Sequence, residues 1–98
     1  RLATDGTVAF HGATNGLNNF LHLAGLAGTP NIVVFDGDGS KAGQFLPACP
    51  NPICAIDDPS YVTFPAIFVS AMTYFEAIRR YAIDRRGLRP ETIFPLFQ

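Results

Sequence analysis

Two short apolar segments, each ending in a turn, constrain the fold of this chain more than any other feature. The first, Thr7-Val-Ala-Phe-His-Gly-Ala-Thr-Asn-Gly16, joins a β-branched and aromatic run to a glycine-containing turn. The second, Ile32-Val-Val-Phe-Asp36, ends in an acidic residue twenty positions after Gly16. In a mononucleotide-binding βαβ unit the first turn holds phosphate and the acidic residue holds a ribose hydroxyl. The two segments therefore predict such a unit.

The rest of the chain continues an alternation of strands and helices. Apolar runs predict strands over 7–10, 31–35, 65–69 and 92–94. Helical spacing of apolar residues predicts helices over 15–24 and 70–86, and residues 37–59 are rich in glycine and proline, which predicts a loop. This order predicts an α/β fold: a small Rossmann-like three-layer domain with a mostly parallel four- to five-stranded sheet. We expect residues 1–98 to form this single domain, as a fragment or accessory domain of a larger protein.

The amino-acid composition limits the kinds of partner that we expect for this chain. Hydrophobic residues make up 48% of the 98 residues and charged residues 15%, which is typical of a globular chain rather than a disordered one. The net charge of −1 gives no bulk attraction to nucleic acid or to an anionic membrane, and we expect neither as a partner. Five arginines between Arg79 and Arg89 are interpreted as a solvated helix face, with a phosphate or partner contact as the alternative.

Neither the cysteines nor the acidic loop predicts a metal site. Cys49 and Cys54 lack histidine or acidic partners at zinc-ligand spacing, so we interpret them as reduced thiols in a cytoplasmic protein. The segment starting at Asp36 resembles the start of a calcium loop. However, Lys41 stands where that loop needs glycine and Pro47 where it needs glutamate, so calcium is not expected.

The first turn is a candidate anion site. It comprises Gly12, Ala13, Thr14, Asn15 and Gly16. Small residues let a ligand approach the backbone, and the amides and dipole of the following helix favour an anion. The alternative is a tight strand-to-helix turn without a ligand.

Two further side chains lie near this turn in the predicted fold. Asp36 is predicted either to bind ribose or to cap the glycine-rich loop that follows it. His11, at the end of the first strand, is a candidate to face a ligand, and the alternative is a structural histidine. No nucleophile is identifiable, so no catalytic residue is predicted.

The turn and the later loop resemble the C-terminal domain of sugar C-methyltransferases, which modify nucleotide-linked deoxysugars. Gly12-Ala-Thr-Asn-Gly-Leu-Asn-Asn-Phe-Leu-His-Leu-Ala-Gly-Leu26 aligns without a gap with the family pattern G-A-x-x-K-G-N-T-L-L-N-Y-x-G-I. The stretch from Val34 to Ile53 keeps the family spacing as well. The motif positions carried over are Gly12, Asn18, Asp36, Lys41 and Gly43.

The resemblance implies a Rossmann-like accessory domain that is non-catalytic by itself and binds a nucleotide, a nucleotide-linked sugar or a similar small molecule. It implies no cofactor in this domain, since S-adenosylmethionine would belong to a separate domain of the parent methyltransferase. The expected partners are that methyltransferase domain in cis or a second copy of the chain. Gly16 and Leu17 replace the family's Lys-Gly, which supports the alternative of a structural or protein-interaction domain with a degenerate, empty site.

Overall fold

A five-stranded sheet, parallel throughout, forms the centre of the molecule. The computed structural model describes residues 6–97. The strands are β1 (Val8–His11), β2 (Ile32–Asp36), β3 (Cys54–Ala55), β4 (Ile67–Val69) and β5 (Ile93–Pro95). They lie in the order β3-β2-β1-β4-β5, with helices α1 (Asn15–Leu23) and α2 (Phe75–Asp84) as crossovers. The predicted small Rossmann-like α/β fold is confirmed.

The strand order creates a switch point between β1 and β4. The chain first winds from β1 outward to β2 and β3, and then returns to the other side of β1 to build β4 and β5. Ala9 of β1 is in register with Val33 on one side and with Ile67 on the other. Crossovers on the two sides of such a point leave a crevice at the carboxyl ends of its strands, where ligands of open α/β sheets bind.

Alternation along β1 separates two cores. Phe10 packs on the side of α1, against Leu17 and Leu21, which are fully buried. Ala9 packs on the opposite side with Ala82 of α2. The sheet thus lies between two layers of apolar side chains, because successive residues of a strand point to opposite faces. Among residues 6–97, no helix has the length and apolar character needed to cross a membrane.

The glycine- and proline-rich segment contains a short strand that the sequence pattern did not predict. β3 adds to the edge of β2 through the pairs Phe35↔Cys54 and Asp36↔Ala55. The loop that precedes it is held to the core by the side chain of Asn18, which accepts a 2.8 Å hydrogen bond from the Ala48 amide. This loop is fixed by long-range hydrogen bonds, which have no periodic sequence signature.

The second helix begins later than predicted. The amide of Ser70 donates to the carbonyl of His11 (3.0 Å), so the parallel pairing with β1 extends past β4. A 3₁₀ turn at Met72–Tyr74 then leads into α2 at Phe75. The prediction of a helix from 70 to 86 is therefore too long, because the residues before Phe75 form the pairing with β1 and the 3₁₀ turn, and α2 ends at Asp84.

Candidate functional site

A cleft of about 280 Å³ lies at the switch point. Its walls come from the carboxyl ends of β1 and β2, the loop after β2, the turn after β4 and the first turns of α2. The residues that line it are His11, Gly12, Thr14, Asp36, Gly37, Lys41, Ala71, Tyr74 and Ile78. The cleft therefore occupies the position where an open α/β sheet binds its ligand.

Gly12 allows the two turns at the floor of the cleft to approach each other. Its φ is +116°, in the region that disfavours side chains. A Cβ at this position would lie 2.6 Å from Oγ of Ser70 and 3.0 Å from the amide nitrogen of Ala71. The Ser70 hydroxyl donates a 2.5 Å hydrogen bond to the Gly12 carbonyl, which joins the ends of β1 and β4.

Asp36 is bound to the backbone on both of its carboxylate oxygens. Oδ2 accepts a 2.8 Å hydrogen bond from the amide of Ala13, and Oδ1 accepts one of 2.8 Å from the amide of Asp38. The carboxylate thus connects the end of β2 to the turn after β1. The loop-capping interpretation of Asp36 describes the contact with Asp38, and the ribose-binding role of Asp36 stays a prediction.

Lys41 completes this connection. Its Nζ donates to the Ala13 carbonyl (3.2 Å) and lies 3.8 Å from Oδ2 of Asp36. The side chain of Lys41 is 40% exposed and that of Asp36 is 14% exposed, so the pair lies at the solvent boundary of the cleft. A pair of this kind contributes at most about 1 kcal/mol to stability through its charges alone.

Thr14 caps the helix that starts beside the cleft. Its Oγ1 accepts a 3.0 Å hydrogen bond from the amide of Leu17, which fits the preference for threonine at this position. The side chain of Leu17 is fully buried in the α1-side core. Leu17 thus does not project into the turn, although the family pattern has glycine there.

His11 is buried at the inner end of the cleft and is 4% exposed. Its Nδ1 lies 2.8 Å from the hydroxyl oxygen of Tyr61, so the two groups share a hydrogen bond. Burial lowers the pKa of His11 to about 4, although the charge of Asp36 acts in the opposite direction. The imidazole is therefore neutral near pH 7.

Tyr61 supports His11 from the α2-side core. Burial raises the pKa of Tyr61 above its ordinary value, Tyr81 adds to this effect, and Arg86 opposes it. The guanidinium of Arg86 lies 5.3 Å from the centroid of the Tyr61 ring and donates to the carbonyls of Ile56 and Asp58. Arg86 thus packs on Tyr61 and hydrogen-bonds to the backbone, whereas the sequence predicted that it lies on a solvated helix face.

The structure divides the eight predicted binding residues among three places. Four line the cleft: Gly12, Thr14, Asp36 and Lys41. A second cleft of about 310 Å³ lies next to the first and is lined by Thr14, Gly16 and residues 70–74.

The other three predicted residues, Ala13, Asn15 and Asn18, line neither cleft. Ala13 takes part through its amide, which is bound to Asp36. Asn18 holds the loop before β3 instead. None of the arginines in the C-terminal cluster is among the described lining residues of the two clefts.

Sequence reasoning missed four residues that line the first cleft, Gly37, Ala71, Tyr74 and Ile78, of which Tyr74 has the largest side chain. It borders both clefts and is 65% exposed, which is unusual for a large aromatic side chain. In the sequence it stands beside an apolar helical stripe and reads as a flanking core residue. Its position before the start of α2, where a 3₁₀ turn replaces the predicted helix, places it at the cleft instead.

The cysteines lie away from the clefts as free thiols. Burial raises the pKa of Cys54, with smaller contributions in the same direction from Asp58 and Cys49. Within residues 6–97, no three His, Cys, Asp or Glu side chains are grouped so that they could hold a metal ion.

Comparison of the chain with protein-family models, with curated proteins and with solved structures gave no match.

Proposed function

We propose that this domain is a non-catalytic module that binds a nucleotide or a nucleotide-linked sugar, as an accessory domain resembling the C-terminal domain of sugar methyltransferases. The observation that carries the proposal is the cleft at the switch point between β1 and β4, with Asp36 at the end of β2 beside it. In dinucleotide-binding sheets an acidic residue in this place accepts hydrogen bonds from ribose.

The lining of the cleft supports a ligand with both polar and apolar surfaces. Asp36 and Lys41 provide an acceptor and a donor, and Tyr74 and Ile78 provide apolar surface. A few placed polar groups within a mainly apolar lining are typical of small-molecule sites. The volume of about 280 Å³ lies just below the usual range of roughly 300–1,000 Å³, which fits part of a nucleotide-linked sugar.

The state of His11 supports a binding role over catalysis. With its pKa lowered to about 4, this imidazole is a weak base near pH 7, and one of its nitrogens is hydrogen-bonded to Tyr61. In our proposal S-adenosylmethionine and methyl transfer belong to a separate methyltransferase domain in cis, in a cytoplasmic parent enzyme.

The proposal is tested by recording amide NMR spectra of the chain during titration with UDP-glucose and dTDP-glucose. We expect the amide signals of Gly12, Gly37 and Lys41 to shift and to saturate with a Kd below about 5 mM. A Kd of about 5 mM corresponds to a binding free energy of about −3 kcal/mol. Asp36→Ala should weaken binding, whereas Asp57→Ala, an exposed acidic residue outside the cleft, is the matched control. The absence of shifts at the cleft with both sugars would refute the proposal.

A second candidate, a protein-interaction domain with an empty site, is favoured by the α1-side face of β4 and β5. Phe68 and Phe94 stack there with ring centroids 5.6 Å apart, and Phe94 is 41% exposed. Exposed apolar patches of this kind often mark interaction sites. Light scattering that shows a concentration-dependent dimer, lost in Phe94→Glu, together with no response to the sugars, would support this function over ligand binding.

A further inference from the structure

We infer that the switch-point cleft recognises the uncharged, hydroxyl-bearing ring of its ligand and gains little affinity from phosphate. This inference rests on the proposed function and specifies which part of the ligand occupies the cleft. The ring is either the ribose and base of a nucleoside or a hexose, which share vicinal hydroxyl groups and an apolar face.

The protein itself occupies part of the anion position of the first turn. The Ala13 amide, one of the donors that a phosphate could use there, donates to Oδ2 of Asp36 at 2.8 Å. The Thr14 amide donates to the carbonyl of Gly12 (3.0 Å), and the Leu17 amide donates to Oγ1 of Thr14 (3.0 Å). Three amides around the start of α1 are thus engaged within the chain, and one of them holds a carboxylate in place of a phosphate.

Charge in the cleft is balanced before any ligand arrives. Of the described lining residues, Lys41 alone is positive and Asp36 alone is negative, and Nζ and Oδ2 lie 3.8 Å apart. His11 is neutral near pH 7 because it is buried. A diphosphate would approach the Asp36 carboxylate with only one cation to compensate for its charges, which is unfavourable by Coulomb's law.

The neighbouring cleft offers no further cation. Its lining consists of Thr14, Gly16 and residues 70–74, none of which is charged. The ring of Phe97 lies close to Gly16, since two of its carbons are 3.7 and 3.9 Å from the position of a Cβ on that glycine. The start of α1 is therefore bordered by an aromatic ring, where phosphate sites usually have Lys or Arg.

The same cleft has what a neutral ring needs. A carboxylate has about four acceptor positions, and the amides of Ala13 and Asp38 take two of those on Asp36. The remaining positions can accept hydrogen bonds from a pair of vicinal hydroxyls. Tyr74, 65% exposed at the rim, provides an aromatic face on which a base or the apolar side of a sugar can stack.

The test compares five probes by amide NMR titration of the same chain: UDP-glucose, UDP, uridine, glucose and inorganic pyrophosphate. We expect uridine or glucose to shift the cleft amides with a Kd within about tenfold of that of UDP-glucose, and which of the two does so identifies the ring. Pyrophosphate should shift none of them. Salt screens ion pairs, so binding that depended on phosphate would weaken as NaCl is raised from 50 to 300 mM. Because we expect phosphate to contribute little, the affinity for UDP-glucose should change less than threefold.

Variants at Tyr74 and Asp36, with a control at Phe45, strengthen the test. Tyr74→Ala should weaken ring binding at least tenfold and Tyr74→Phe less than threefold, while Phe45→Ala, which removes an exposed aromatic side chain outside both clefts, should have no effect. Asp36→Ala should gain pyrophosphate binding, since it releases the Ala13 amide and Lys41.

The outcomes separate the two levels of the proposal. If UDP-glucose binds but uridine and glucose both bind more than about tenfold more weakly, or if pyrophosphate shifts the amides of Ala13 and Thr14 in the unaltered chain, the ring inference is wrong and the proposed function stands. If no sugar nucleotide shifts the cleft, the proposed function itself fails. If Asp36→Ala does not fold, the titrations of the unaltered chain with the five probes still test both the ring inference and the proposed function.

Discussion

The backbone amide of Ala13 donates a 2.8 Å hydrogen bond to Oδ2 of Asp36, across 23 positions of sequence. This contact joins the turn after β1 to the end of β2 and brings together the two features on which a nucleotide-binding βαβ unit depends. It also means that the carboxylate of Asp36 and the backbone of the turn after β1 satisfy each other's hydrogen bonds. We therefore expect the contact to affect both the stability of the fold and the ligands that the cleft can bind.

Removing the Asp36 carboxylate should destabilise the fold. Asp36→Ala loses two hydrogen bonds from backbone amides to a charged acceptor, and we expect the free energy of unfolding to fall by about 1–3 kcal/mol. Urea unfolding monitored by circular dichroism measures this change. Asp57→Ala, an exposed control, should stay within about 0.5 kcal/mol of the unaltered chain. Equal stability of the two variants would show that the hydrogen bonds of Asp36 do not contribute to the free energy of unfolding.

Gly12 should not tolerate a side chain. Gly12→Ala combines a φ of +116° with a Cβ that would lie 2.6 Å from Oγ of Ser70, and we expect a loss of at least about 2 kcal/mol. Gly25→Ala is the matched control, because Gly25 also has a positive φ (+74°) but nothing lies within 4 Å of its added Cβ. That variant should lose only about 1 kcal/mol. Thermal unfolding compares the two, and similar losses would contradict the close approach of β1 and β4.

The buried His11 should make stability depend on pH. Its folded pKa of about 4 lies below the unfolded value of 6.5, so the unfolded chain binds more protons between these values. Stability therefore falls as pH decreases from 6.5 to 4, by about 3 kcal/mol. Above pH 6.5 this group causes no further change.

The dependence of the free energy of unfolding on pH is measured by urea unfolding at several pH values. His11→Gln should reduce this pH dependence. His22→Gln, which alters an exposed histidine of α1, is the control and should keep the pH dependence of the unaltered chain. An NMR titration of the His11 ring gives an independent check, and a midpoint near 6.5 would exclude the buried neutral state.

Leu17 should act as a core residue despite its place next to the candidate site. Leu17→Ala removes a fully buried side chain from the α1-side core, with an expected loss of about 2–5 kcal/mol. Leu23→Ala alters a leucine of the same helix that is 89% exposed, and its effect should be within about 0.5 kcal/mol. A small effect of Leu17→Ala in chemical denaturation would place its side chain outside the core.

Sequence alone predicted the parallel α/β fold and the strands that build its centre, since apolar runs and helical spacing record which faces are buried. Of the eight predicted binding residues, four line the cleft: Gly12, Thr14, Asp36 and Lys41. Sequence alone failed for β3 and for the first turns of α2, whose backbone is fixed by partners distant in sequence, such as the Ser70 amide with the His11 carbonyl.

Only the tertiary structure decided what the candidate site residues do. The sequence determined that a glycine-containing turn and Asp36 follow neighbouring strands, because strand ends can be read from local pattern. It could not determine that Asp36 accepts a hydrogen bond from the Ala13 amide or that Tyr74 borders the cleft. Those facts depend on side-chain directions and on distances between segments, which arise when the sheet packs and carry no periodic signal in the chain.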